Sequence, residues 1–151
     1  MYVREMSYPE CHSLVAGGDL ARLACCKDGQ PYIVPITYAL EGQCVYCFSM
    51  PGQKVEWMRD NPKVCLQVDT FYSGRQWKSV VVSGRFRELS HEQTPRSEWI
   101  HAWSLLERKT NWWEPGGLKP EPQEISPESP HIFFCVDVEG MTGRAAFDEK
   151  S

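Results

Sequence analysis

The sequence has no long apolar run and no cluster of basic residues. Its apolar stretches are shorter than the about 20 residues that a membrane helix needs, and residues 1–10 lack the apolar region of a signal peptide. We therefore expect a cytoplasmic protein with no membrane partner. The 16 Lys and Arg residues are scattered among 20 Asp and Glu residues, with a net charge of −4. Because no basic stripe could neutralise a row of phosphates, nucleic acid is not an expected partner.

Several catalytic signatures are also missing. None of the four histidines lies in a nucleophile-elbow sequence, so hydrolase chemistry is not indicated. The glycine and lysine spacing of a Walker loop is absent, which argues against nucleoside triphosphate hydrolysis. Glu98 and His101 form one E-x-x-H motif, whereas a di-iron bundle needs two such motifs and further carboxylates. We interpret this motif as a surface pair.

The seven cysteines are odd in number and lie mostly inside apolar runs. This pattern indicates buried free thiols in a reducing compartment and not a disulfide framework. Cys44 and Cys47 spell C-x-x-C, but they fall within a predicted strand, where side chains three apart point to opposite faces. No second pair completes four ligands. The sequence therefore predicts no metal site.

Six apolar runs separated by turn sequences predict six antiparallel strands, in a single domain spanning residues 1–151. A capping box at Ser7 and Glu10 predicts a first helix, and helical spacing predicts another over residues 94–109. The expected fold is mainly β, a small β-barrel with flanking helices. Residues 111–130 are proline-rich and are expected to form an ordered loop, and residues 145–151 a frayed tail.

Two residues interrupt the predicted strands. Pro35 lies in the middle of "YIVPITY", where it removes a ladder donor, so the strand should be bulged or open at that point. An opening in a barrel wall is a place where a ligand can lie. Gly84 follows "VVVS" and indicates a bulge or a close approach of two backbones.

The stretch "FSMPGQKVEWMRDNPKV" combines a strand end with the start of a helix. The helix is predicted to begin near Pro51 and to end at Asn-Pro. Its unpaired N–H groups, the bare backbone of Gly52 and the charge of Lys54 could hold one phosphate, with Ser49 adding a hydroxyl. The alternative is a solvent-exposed turn with an ordinary lysine.

The order of three segments, "LARLACCKDGQPYIVPITYAL", "VYCFSMPGQKVEWMRDNPKVCLQVD" and "WKSVVVSGRFREL", resembles a known family. It is similar to the flavin-binding split-barrel proteins related to pyridoxamine 5′-phosphate oxidase, and most to their nitroimidazole-resistance-like branch. The resemblance covers residues 19–89. The motifs that carry it are a proline-containing strand, a G-x-K helix start, and W-x-S-V ahead of a glycine.

This resemblance implies a six-stranded antiparallel split barrel that binds FMN at a homodimer interface. The strand around Pro35 would lie along the isoalloxazine ring, with Ser79 against it. Gln53 and Lys54 would hold the phosphate. The full set of cofactor-binding residues implied by the resemblance is Val34, Pro35, Ile36, Thr37, Phe48, Ser49, Gln53, Lys54, Trp77 and Ser79.

The implied activity is that of an FMN-dependent oxidoreductase, passing hydride or electrons between a reduced nicotinamide or similar donor and an unidentified small molecule. Many proteins of the branch carry a histidine where this chain has Cys47-Phe48-Ser49, and no Arg-x-His pair is present. Catalytic residues are therefore not assigned. Alternatives are a non-enzymatic flavin-binding or sensing protein, the same fold with F420 or haem, and an interaction barrel without a cofactor.

Two further features remain open. Trp112 and Trp113 begin the proline-rich segment and could either cover the partner's flavin or anchor the loop to the surface. Arg144 could reach a phosphate or cap the last strand, and the second interpretation is favoured.

Overall fold

The computed structural model describes residues 2–90, 92–108 and 132–148. Over these residues the chain forms seven strands and three helices. The strands are β1 (Tyr2–Glu5), β2 (Leu20–Lys27), β3 (Gln30–Glu41), β4 (Cys44–Ser49), β5 (Lys63–Phe71), β6 (Trp77–Glu88) and β7 (Ile132–Phe147). The helices are α1 (Tyr8–Gly17), α2 (Gln53–Asp60) and α3 (Arg96–Glu107). Within these ranges no helix is long and apolar enough to cross a membrane.

All seven strands belong to one antiparallel sheet with the order β1-β7-β4-β3-β2-β5-β6. The sheet closes on itself because β7 also pairs with β6 along nearly the whole length of β6. The predicted mainly β, antiparallel barrel is confirmed, with one strand more than the six expected. The additional strand is β1, whose four residues are all exposed, so no alternation of apolar and polar side chains marks it in the sequence.

The predicted frayed tail is wrong for its first three residues. Residues 145–147 belong to β7, where Ala145 and Ala146 are buried and pair with β6 on one edge and β1 on the other. Because β1 and β6 are remote from this segment in sequence, no local pattern predicts that it pairs with them. Residues 149–151 and the proline-rich segment 111–130, including Trp112 and Trp113, lie outside the described residues.

The helices follow the expected sequence signals with shifted ends. In α1, Ser7 Oγ accepts a hydrogen bond from Glu10 N at 3.3 Å, and Glu10 Oε1 accepts one from Ser7 N at 3.1 Å, so the capping box is confirmed. The second helix begins at Gln53, two residues later than expected from Pro51. The third runs from Arg96 to Glu107, shorter at both ends than residues 94–109.

Two apolar clusters hold the fold together. One fills the barrel, with Leu23, Leu66 and Val82 among its most buried side chains. The other lies outside the barrel, where α3 covers β4 and the first half of β7. In it Trp99 packs against Phe133 with ring centroids 4.4 Å apart and ring planes at 57°. The sheet therefore has one outer face under α3 and another, on β2, β3, β5 and β6, that carries exposed side chains.

Both strand interruptions have structural consequences. The β6–β7 register shifts between Ser83 and Gly84, and a Cβ at Gly84 would lie 2.4 Å from the Asp137 carbonyl oxygen. The bulge and the close approach predicted at Gly84 are both confirmed. Pro35 causes no shift in the pairing register between β3 and β2. Instead, β4 pairs with β3 only at residues 38–41, so among the described strands the segment around Pro35 is paired on one edge. This is the opening in the wall.

Candidate functional site

The exposed outer face of the sheet brings together residues from four strands. The ladders align Pro35 of β3 with Arg22 of β2, Arg22 with Gln67 of β5, and Gln67 with Val81 of β6. Because side chains alternate along a strand, residues two positions away share this face. Thr37, Asp69 and Ser79 therefore lie beside the same row.

Four polar side chains form a network across β2, β5 and β6. The Gln67 amide donates from Nε2 to Ser79 Oγ and to Asp69 Oδ2, both at 2.9 Å. Arg22 Nη1 donates to Gln67 Oε1 and to Asp69 Oδ2, both at 3.4 Å. These contacts hold Ser79 and Gln67 in fixed positions on a face that is open to a ligand.

The sequence prediction included Ser79 and missed Arg22, Gln67 and Asp69. The available signal was the alternation in "VCLQVDTF", where Val64, Leu66 and Val68 are buried in the barrel. The polar residues between them must then face outward. Arg22 alternates in the same way between Ala21 and Leu23, which are both fully buried.

A cavity of about 490 Å³ lies next to this network, between β6 and β7. Trp77, Ser79 and Val81 line it from β6, and Arg144 lines it from β7, directly opposite Ser79 in the ladder. The structure therefore places Trp77 and Ser79 in the wall of the same cavity. Arg144 lies three residues before the end of β7, in the cavity wall and not at a strand cap.

Thr37 has an unusual environment for a hydroxyl. Thr37 is only 5% exposed, and its Oγ1 atom has no hydrogen-bond partner among the residues that the structure describes. Burying a hydroxyl without a partner costs about 1 to 3 kcal/mol. A ligand group that bonds to Oγ1 would recover this cost.

Lys54 is half-buried in the first turn of α2, and no carboxylate of the described residues forms an ion pair with it. Burial lowers the pKa of Lys54, and the nearby Cys25 and Cys47 thiols partly oppose this shift. The N-cap residue of α2 is Gly52, which supplies no side-chain hydrogen bond to the first N–H groups of the helix. Lys54, Gln53 and these N–H groups would therefore stabilise an anion.

Other predicted site residues present their side chains elsewhere. Val34 and Ile36 pack into the barrel, so only their backbone groups could meet a ligand on the outer face. Phe48 packs on Phe133 beneath α3, with ring centroids 5.9 Å apart. Ser49 is buried and donates from Oγ to the Met50 carbonyl oxygen at 2.7 Å. The predicted set is therefore divided among the open face, the core and the α2 end of the barrel.

The structure contains the features on which the sequence resemblance rested. The antiparallel sheet is closed, the strand around Pro35 is paired on one edge among the described strands, and Lys54 lies in the first turn of a helix. A family model described as pyridoxamine 5′-phosphate oxidase matches residues 7–145. The chain belongs to this family, as the resemblance of its segments predicted.

Individual relatives agree with this assignment. The uncharacterized protein RA0666 of Rhizobium meliloti (strain 1021) is 69% identical over 146 residues, which cover 97% of each chain. A crystal structure of a FAD-binding protein from Mesorhizobium loti is 46% identical, with a TM-score of 0.82 over 97% of this chain and 100% of that one. A 5-nitroimidazole antibiotic resistance protein structure from Bacteroides thetaiotaomicron shares the fold, with 19% identity, a TM-score of 0.70, and coverage of 96% and 89%.

Replacing Thr37 by Val tests whether its hydroxyl lacks a partner. Thr37→Val keeps the shape of the side chain and removes the buried Oγ1, so the ligand-free protein should be stabilised by about 1 to 3 kcal/mol. The measurement is the midpoint of urea unfolding at unchanged slope. Thr142→Val, at an exposed position, is the control and should change stability by less than about 0.5 kcal/mol. Destabilisation by Thr37→Val would mean that the hydroxyl is already satisfied.

Proposed function

We propose that the protein binds a flavin through its mononucleotide part, as FMN or as the FMN half of FAD. The observation that carries this proposal is Lys54, a half-buried ammonium without an ion-pair partner in the described residues, in the first turn of an uncapped helix. The sequence resemblance predicted FMN, and a relative 46% identical is described as FAD-binding. Both nucleotides contain the same ribityl phosphate next to the ring.

The residues present are suited to that group. Lys54 and Gln53 with the first N–H groups of α2 would hold the phosphate, because they concentrate positive charge there, and the Glu56 carboxylate of the same turn is exposed and paired with Arg59. The buried Thr37 hydroxyl, which lies beside Pro35 on the outer side of β3, has no hydrogen-bond partner among the described residues and could bond to a ligand. Ser79, fixed by Gln67, adds another polar contact on the same face. These residues would orient the flavin's polar edge.

The second part of the proposal is that the protein is an oxidoreductase. A bound flavin supplies hydride or electron transfer, and the chain supplies position, charge and protection from water. The family assignment favours this function over a plain binding protein. The substrate is proposed only as a small molecule.

The third part is that two copies of the chain pair through the open face. Three of its apolar side chains are strongly exposed, with Phe71 at 74%, Ile33 at 62% and Val81 at 38%. These side chains flank the polar network on the same outer face, and apolar side chains exposed together on one face are common at interfaces. A second copy would cover the face and shield a flavin bound there, which supports a homodimer with the cofactor between subunits.

Removing the Lys54 charge should weaken flavin binding. A charge-assisted hydrogen bond is worth about 1.5 to 3 kcal/mol, so Lys54→Ala should raise the Kd for FMN or FAD by about ten- to a hundredfold. Quenching of flavin fluorescence during titration of the purified protein measures the Kd. Lys63→Ala, an exposed lysine just beyond α2, is the matched control and should leave the Kd unchanged.

The visible spectrum of the purified protein and chromatography of the released cofactor identify the ligand in the same experiment. A flavin spectrum with FMN or FAD released on denaturation supports the proposal. A Soret band would show that the cofactor is haem and not flavin, and release of F420 would show that it is a deazaflavin. A colourless protein that binds neither FMN nor FAD would contradict it.

Anaerobic mixing with NADH or NADPH tests the oxidoreductase function. If a nicotinamide can reach the bound flavin, the flavin absorbance of the loaded protein should decrease faster than that of free flavin at the same concentration. Stopped-flow absorbance measures both rates. No acceleration with either donor would favour a flavin-binding or sensing protein that does not use nicotinamides.

A charge on the open face should separate the proposed dimer. Ile33→Asp places a carboxylate in the interface, and we expect the dimer dissociation constant to rise at least about tenfold, because one desolvated charge costs more than about 1.4 kcal/mol. Sedimentation velocity over a concentration series measures it. Ile100→Asp, an isoleucine 44% exposed on α3, is the control. A wild-type protein that sediments as a monomer with bound flavin would exclude the dimer site.

A further inference from the structure

Two cysteines and an aspartate meet on the other outer face of the barrel, away from the candidate flavin site. In the β4–β7 ladder, Cys44 lies directly opposite Asp137, and Cys135 is two residues from Asp137 on the same face. The Sγ atom of Cys44 is 3.6 Å from Asp137 Oδ1, and that of Cys135 is 3.4 Å from the same oxygen. The three atoms lie within 4.8 Å of one another. We call these residues the thiol cluster.

The two sulfur–oxygen distances in the thiol cluster are close to the distance between sulfur and oxygen ligands of a tetrahedral zinc ion. With Zn–S near 2.3 Å and Zn–O near 2.0 Å, the tetrahedral angle places sulfur and oxygen ligands about 3.5 Å apart. The two measured sulfur–oxygen distances, 3.6 and 3.4 Å, lie on either side of this value. The two sulfur atoms lie within 4.8 Å of each other, so rotation of the thiol side chains could bring all three ligand atoms around one cation.

Arg87 orients the carboxylate of the cluster. Its Nε donates to Asp137 Oδ2 at 2.9 Å, and its Nη2 donates to Oδ1 at 3.3 Å. Arg87 is held from α3 by Glu98, which accepts from Nη1 at 3.1 Å. Hydrogen bonds to a ligating carboxylate are typical of metal sites, where they fix the direction of the ligand atom. Here Arg87 donates to both carboxylate oxygens, and Oδ1 is also the oxygen that both thiols contact.

The charges of the cluster also suit a divalent cation. Two thiolates and the carboxylates of Asp137 and Glu98 carry four negative charges around the single Arg87 guanidinium, so a divalent ion would reduce the net charge from −3 to −1. Cys135 is buried and Cys44 half-buried, whereas the Asp137 side chain is 45% exposed. An ion could therefore enter past Asp137, and a water molecule could supply a fourth ligand.

We propose that Cys44, Cys135 and Asp137 bind one Zn²⁺ ion per chain, with Arg87 positioning the carboxylate. The ion joins β4 to β7 at the edge of the apolar cluster beneath α3 and so ties together the two strands that close this side of the barrel. Because binding requires the folded ladder, it stabilises the native protein in proportion to the logarithm of the ion concentration. The proposal is independent of flavin binding.

Titration with Co²⁺ tests the site, because cobalt reports thiolate ligation by a charge-transfer band in the near ultraviolet. The full chain is reduced, freed of metal by a chelator and titrated with Co²⁺, and Zn²⁺ is then added in competition. We expect the band to saturate at one equivalent per chain, to disappear with Zn²⁺, and saturating Zn²⁺ to raise the melting temperature. Cys44→Ser should weaken binding by more than about a hundredfold, since it removes a direct ligand.

Two further variants complete the test. Asp137→Asn should weaken binding by at least about tenfold and is checked for folding by circular dichroism. Cys65→Ser, at a half-buried cysteine on β5, is the matched control and should bind like the wild-type protein. Absence of a saturable band at one equivalent, or a band that persists in Cys44→Ser, would show that the thiols only donate hydrogen bonds to Asp137 and would overturn the proposal.

Discussion

The structure depends on the pairing of β7 along both of its edges. This 16-residue strand pairs with β4 and β1 on one side and with β6 on the other, and so closes the sheet. Closure satisfies backbone groups that an open sheet would leave at its edges. Gly84 is part of the same constraint, since the β6 bulge brings its backbone so close to the Asp137 carbonyl that only a residue without Cβ fits.

Closure also divides the outside of the barrel into two surfaces with different properties. Beneath α3, aromatic side chains such as Trp99 and Phe133 bury the outer face of β4 and β7, and the thiol cluster lies at the margin of that layer. The other surface retains exposed apolar side chains next to a polar network centred on Gln67. A protein that only needed to be stable would cover or replace such groups, which is why we relate this surface to binding.

Two groups at the proposed flavin site lower the stability of the unliganded chain. The Thr37 hydroxyl is buried without a partner in the described residues, and the Lys54 ammonium is partly desolvated with no ion pair there. Each cost would be recovered by a ligand that offers a hydrogen-bonding edge and a phosphate. Functional sites commonly contain such unsatisfied groups, because the same preorganisation that weakens the free protein strengthens the complex.

Local patterns in the sequence determined the elements whose causes are local. The capping box of α1, the period-two alternation of β5 and β6 and the separation of Cys44 from Cys47 all follow from steric and periodic rules within a few residues. Pairings between remote segments were decided only by the tertiary structure. The strand β1, the end of β7 and the meeting of Cys44 with Cys135 depend on ladders between residues far apart, and no local rule encodes which strands become neighbours. The same holds for the open face, since exposure depends on where α3 packs.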